Sequence, residues 1–168
     1  MNKKIILNEE MKCLVDKKIE KPNNLVFSQE KFKELLLPNF AKEHNCIAIT
    51  NGDDSFLENE EKFTQFVKET YTDYTGYEAS NTETYINYFL EEENLTLNEL
   101  VSITFVVIEV WGQQLKLLEP ESQFCFIISC DTEYESVTMR FHKVRSEELM
   151  WLGEGWENSK TPVGCIFI

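Results

Sequence analysis

Between Thr96 and Pro120, Leu100, Thr104, Val107, Ile108, Trp111, Leu115 and Leu118 recur at three- and four-residue steps, the period of one face of an α-helix. Thr96 and Glu99 open the segment as a capping box, each side chain answering a backbone N–H that the first turn leaves without a partner. The β-branched residues crowded into positions 101–110 also suit a strand, but the cap and the unbroken period favour one long helix. Past Pro120 the period falls to two. Phe124, Phe126 and Ile128 alternate with Cys125 and Ile127, so both faces are apolar and the strand is expected inside a sheet. A turn at 131–135 leads to a second strand over 136–144. It carries Val137, Met139 and Phe141 on one face and Thr138, Arg140 and His142 on the other. Residues 163–168 form a third strand, apolar on both faces.

The first half reads mainly as helix. Met11, Leu14, Val15 and Ile19 give a weak helical pattern over 8–20, ended by Pro22. Ser28 opens a stronger helix with Phe32, Leu35 and Leu36 as its apolar stripe, stopped by Pro38. A short helical turn is expected over 39–44, a strand over 46–49 and a turn over 51–54. Helical spacing returns over 57–71, with Phe63, Phe66 and Val67 facing inward. Thr, Asp, Gly, Ser and Asn dominate 71–81, which reads as an exposed loop. Positions 82–92 read as a helix with Tyr85, Ile86, Phe89 and Leu90 on its core face. Helices first and an antiparallel sheet last make an α+β fold: N-terminal helices and one long central helix packed on a C-terminal antiparallel sheet, in a single domain spanning 1–168.

Charge changes the picture more than composition does. With 42% hydrophobic and 12% aromatic residues, the chain has the makings of an ordinary core. Its formal net charge of −14 is unevenly spread: fourteen acidic residues between Glu43 and Glu99 face only Lys62 and Lys68. Tyr71, Tyr74, Tyr77, Tyr85 and Tyr88 fall in the same stretch. Such a field repels nucleic acid and anionic lipid and speeds encounter with cationic surfaces. Tyrosine adds contact area at low entropic cost and a polar tip, which suits a protein interface. The polar context of 71–81 makes Tyr74 and Tyr77, with Asp73, Glu78 and Glu83, the candidate partner-binding residues, and a basic protein the expected partner.

The chemistry-bearing residues otherwise scatter. The opening segment is too short in apolar residues for a signal peptide, and no later run has membrane-spanning length, so a cytoplasmic protein is expected. Five cysteines without CxxC spacing suggest reduced, buried thiols. His44 and His142 stand alone, so neither a metal site nor a cofactor is expected. Asp53 and Asp54 lack the spacing of a calcium loop, and no serine sits in a nucleophile-elbow context. Cys125 and Cys130 lie in an apolar strand, where a thiolate is disfavoured. Arg140 and His142 share a strand face. That face is read as solvated, or alternatively as a small anion or acid/base site of a ligand-binding or enzymatic domain. The Trp151–Trp156 loop, with Gly153 and Gly155, is read as closing over the sheet edge or as a binding loop.

The strand 136–145 (SVTMRFHKVR), Trp151 and the ending 161–168 (TPVGCIFI), in a small acidic α+β chain without a catalytic signature, resemble the immunity proteins of bacterial polymorphic-toxin and contact-dependent inhibition systems. The resemblance implies neutralisation of a cognate toxin, often a basic nuclease, by covering its active site or a neighbouring surface. It transfers no functional residue. The expectation is therefore an immunity or inhibitor protein, not an enzyme, that binds a basic protein through an acidic, tyrosine-bearing surface.

Overall fold

The computed structural model describes residues 3–16, 28–50, 59–90 and 95–168. Its centre is β5 (Phe124–Asp131), which alternates apolar side chains on both faces and is flanked on both sides by antiparallel strands. One neighbour is β6 (Ser136–Lys143), the other β7 (Val163–Phe167). Two further strands, β1 (Lys4–Leu7) and the two-residue β4 (Thr84–Tyr85), extend the sheet to the order β1–β7–β5–β6–β4. A separate hairpin joins β2 (Phe40–Glu43) to β3 (Cys46–Ile49). The α+β architecture expected from the sequence is present, with the long helix on the sheet.

That helix, α6 (Leu97–Leu118), starts with the Thr96/Glu99 capping box. It lays Leu100, Val107, Ile108, Trp111 and Leu115 on the inner sheet face, against Phe124, Phe126, Ile128, Met139 and Phe141. Gly112 lets it close in: a Cβ there would lie 2.6 Å from the Ile168 side chain. Contrary to the sequence expectation, α6 is, by length and composition, long and apolar enough to cross a bilayer. In this fold it is the core helix. The remaining helices are α1 (Glu9–Val15), α2 (Gln29–Leu36), α3 (Glu60–Tyr71), α4 (Tyr74–Asn81) and the single turn α5 (Ile86–Phe89).

Four sequence readings change. Residues 40–43 form a strand rather than a helical turn, because β3 supplies a partner for each of them. The segment 71–81 is largely helix α4, not an exposed loop: Asp73 caps it by accepting the Gly76 N–H, and Thr75 through Ala79 are buried. Positions 84–85 form strand before α5 begins, so Ile86 is buried while Tyr85 points outward. β1, which the sequence reading did not foresee, exists by pairing with β7. The turn expected at 51–54 with Asp53 and Asp54, the 17–20 end of the first helix and the Glu91–Glu93 run lie outside the described residues.

The outer edge of β6 is closed mostly by side chains rather than by backbone. β4 pairs only with Thr138 and Met139. On either side, the Val137 N–H donates to Asn87 Oδ1, the Phe141 N–H to Thr82 Oγ1 and the Lys143 N–H to Glu78 Oε2. Thr82 also donates its hydroxyl to the Phe141 carbonyl, and Asn87 donates its amide to the Glu135 carbonyl. Each of these two side chains imitates a strand residue, which satisfies a sheet edge that would otherwise be a template for pairing. Thr82→Val keeps the shape and leaves both Phe141 groups buried without a partner. It is expected to cost about 1–3 kcal/mol in urea unfolding, and a loss below about 0.5 kcal/mol, the range of ordinary surface substitutions, would show that water replaces the hydroxyl freely.

Candidate functional site

The five residues singled out from the sequence do not form one exposed face. Asp73 is the cap of α4. Tyr74 is half-buried, stacked on Phe63, with its hydroxyl 2.8 Å from Thr64 Oγ1. Tyr77 is buried and donates its hydroxyl to Glu43 Oε2 at 3.1 Å; burial first, then the Glu43 carboxylate, pushes its pKa up. Glu78 is wholly buried. Only Glu83 lies at an open groove, where it pairs with Arg140.

Glu78 is the junction of the two sheets. Its carboxylate accepts the Ile47 N–H from β3 at 3.0 Å and the Lys143 N–H from β6 at 2.7 Å. Arg145 grips both oxygens, Nη1 to Oε2 at 2.8 Å and Nη2 to Oε1 at 2.9 Å, a bidentate fork that suits burial. Arg145 also donates to the carbonyls of Lys143 and Asn45, and its guanidinium lies over the Tyr74 ring. Burial alone would lower the Arg145 pKa, but the Glu78 hydrogen bonds and charge outweigh it and raise it. Glu148 completes the node by accepting the Tyr74 and Thr75 N–H groups at the start of α4. A second pair locks the far end: Lys143 Nζ and Lys42 Nζ both reach Glu119, the C-cap of α6. Burial raises the Glu119 pKa, yet hydrogen bonds from Ser122, Lys42 and Lys143 overcome it and hold the carboxyl down at about 2.

These junctions set the walls of a groove of about 860 Å³. Leu35, Leu37 and Pro38 from the end of α2 line one side, with Asn39, Ile49 and Thr50 from the β2–β3 hairpin. Asn81, Glu83, Thr84 and Tyr85 line the other, and Trp111 of α6 forms the floor, its indole N–H donated to the Leu35 carbonyl. Tyr85 and Tyr88 stand at the mouth, 56% and 58% exposed. Glu34 and Glu83 are its carboxylates; among the described residues no lysine, arginine or histidine lines it, although Lys31 Nζ lies 5.3 Å from the centre of the Tyr88 ring and Arg140 meets Glu83. The sequence reading missed Glu34 and Leu37 and put Tyr85 in the core. Helical spacing across 82–90 misled it, since the strand–helix break at Ile86 turns Tyr85 outward.

The outer sheet face is not solvated. The segment after β6 lays Val144, Met150, Leu152 and Trp156 over Cys125, Ile127 and Cys165. His142 is buried in this layer, 1% exposed, and burial lowers its pKa, which keeps it neutral. The hydrogen bond with Cys165, and burial, raise the Cys125 pKa, and burial pushes Cys130 up to about 12, so neither offers a thiolate. Arg140 emerges at the edge of this layer, on Glu83 and over the Trp151 ring. Trp156 covers the sheet face rather than its edge, and Trp151 stays partly exposed beside Arg140. Among the described residues no group of three or more metal-ligating side chains converges.

Removing one partner of a buried pair strands the other charge. Arg145→Met is expected to cost about 3–5 kcal/mol in denaturant unfolding, with part of it recovered in the Glu78→Gln/Arg145→Met double variant. A single-variant loss under about 1 kcal/mol, the ordinary worth of an exposed pair, would contradict a buried pair. Glu119 gives a pH signature. Its folded pKa lies below its ordinary 4.5, so its contribution is complete above about pH 4.5 and lost as pH falls through about 2. The stability gap between the wild type and Glu119→Gln should therefore close over that window in urea titrations at stepped pH. A gap unchanged from pH 6 to pH 2.5 would mean that the Ser122, Lys42 and Lys143 bonds together do no more than offset burial.

No curated protein and no solved structure matches the chain. The model described as "Uncharacterized protein PM0498 family" matches residues 6–167, nearly the whole length, and the chain belongs to that family.

Proposed function

We propose that this chain is an inhibitor of the immunity type, which neutralises a basic cognate protein by seating part of it in the groove between α2, the β2–β3 hairpin and β4. The observation that carries this reading is the groove itself: tyrosines at the mouth, carboxylates on the walls and, among the described residues, no basic side chain in the lining. A net charge of −14 draws a cationic surface in, while Tyr85 and Tyr88 supply rigid contact area once it arrives. The same charge disfavours nucleic acid and anionic membranes, so the partner is a protein, and a toxin domain met in the cytoplasm fits the immunity-protein resemblance. Among its described residues the groove holds no acid–base pair with a nucleophile, which favours binding over catalysis. The acidic segment still contributes to this surface, through Glu83, Tyr85 and Tyr88 rather than through Tyr77 and Glu78.

Affinity capture from source-cell lysate, followed by titration calorimetry with the purified captured protein, tests this. One basic protein should be retained in stoichiometric amount, and Glu34→Lys/Tyr85→Ala/Tyr88→Ala should weaken it by at least about tenfold, near 1.4 kcal/mol. Equal binding by the triple variant, or capture only of assorted cationic proteins that salt removes, would overturn the reading.

A further inference from the structure

Glu83 already carries a cation, and that cation belongs to this chain. Tyr85 faces Thr138 across β4 and β6, and the same register carried one pair further sets Glu83 opposite Arg140. The two side chains pair there, and the Arg140 guanidinium also lies 5.4 Å from the centre of the Trp151 ring. Arg140 is thus held from two sides, by a carboxylate that lines the groove and by an indole outside it.

We infer that Glu83 is an exchangeable arginine receptor, filled by Arg140 in the free protein and yielded to an arginine of the basic partner when the groove is occupied. This rests on the groove being the partner site. Three features favour exchange. The pair is partly solvated, with side-chain exposures of 17% and 32%, and so opens more readily than the Arg145–Glu78 pair at 8% and 0%. Exchange leaves the carboxylate with one guanidinium before and after, so only Arg140 gives up a counter-ion. The displaced Arg140 keeps the Trp151 ring, while the incoming guanidinium gains Tyr85 beside Glu83. Arginine is favoured over lysine because its planar fork meets a carboxylate along two bonds and stacks on an aromatic face. Arg140 accordingly acts as a built-in competitor: apparent affinity is lowered by the fraction of molecules in which Glu83 is occupied.

The probe is a blocked hexapeptide with one central arginine, with lysine and citrulline counterparts, titrated into ¹⁵N-labelled protein. The arginine peptide should perturb resonances at 81–88 and shift the Arg140 Nε–H signal. The citrulline peptide, isosteric and neutral, should leave both in place. Arg140→Met, which removes the competitor and keeps the length, should bind the arginine peptide more tightly, by up to about fivefold at low salt and less at high salt. Glu83→Gln should weaken it. Arg140→Lys repeats the test if Arg140→Met melts early, and should also bind the peptide more tightly than wild type. Arginine peptide bound at 81–88 with equal or lower affinity for both Arg140 variants overturns the exchange while leaving the groove reading intact. Arginine peptide that perturbs other regions only, such as the acidic face of α3, overturns both.

Discussion

One buried carboxylate holds this fold to its shape. Glu78 sits where the β2–β3 hairpin meets the main sheet, and it takes a backbone N–H from each while Arg145 neutralises it along a fork. Two charges out of water are stable only if every lone pair and proton is met, and the node largely does this with backbone partners as well as with the ion pair. The consequence is geometric. α4, which carries Glu78, is tied to both sheets at once, so the chain leaving it through Asn81–Tyr85 runs at a fixed distance from the hairpin end at Asn39 and Thr50. The groove is the space left between them, and Trp111 closes its floor.

The acidic, tyrosine-rich stretch thereby divides its labour. Tyr74, Tyr77 and Glu78 build the wall from behind, with Phe63 and Val67 packed against the hairpin residues Cys46 and Ala48. Glu83, Tyr85 and Tyr88, a few residues on, face outward from the stretch that Glu78 anchors. The buried residues and the groove-facing ones lie in one continuous segment because the first fix the position of the second. Surface carboxylates such as Glu60, Glu61 and Glu69 on α3 add field and solubility without belonging to the groove.

The elements readable from the sequence were those with a clear period or stop signals of their own: α1, α2 and α3, the apolar run of β3, α6 with its capping box, β5 with two apolar faces, and β6 and β7. The elements that were not readable owe their existence to partners. β1 and β2 are four residues each and become strands by pairing with β7 and β3. α4 contains Thr, Gly, Ser and Asn, poor helix formers, and is held by its Asp73 cap and by burial; the Asp73-to-Gly76 spacing was the one local cue. Charge density does not show which way each carboxylate faces, since nothing in the sequence separates a Glu that meets Arg145 inside from one that meets solvent. The groove, assembled from α2, the hairpin, 81–89 and α6, is a tertiary object with no motif of its own.

The claim on which the rest depends is that Glu78 clamps hairpin and sheet into one cooperative unit. Native-state hydrogen exchange at the Ile47 and Lys143 amides tests it most directly, because both protons are held by that carboxylate alone among side chains. The account predicts that both exchange only with global opening, at the same protection as the central-strand amide of Phe126, and that both lose protection together in Glu78→Gln. Fast exchange at Ile47 while Phe126 stays protected would show the hairpin opening on its own, and the groove would then have no fixed wall.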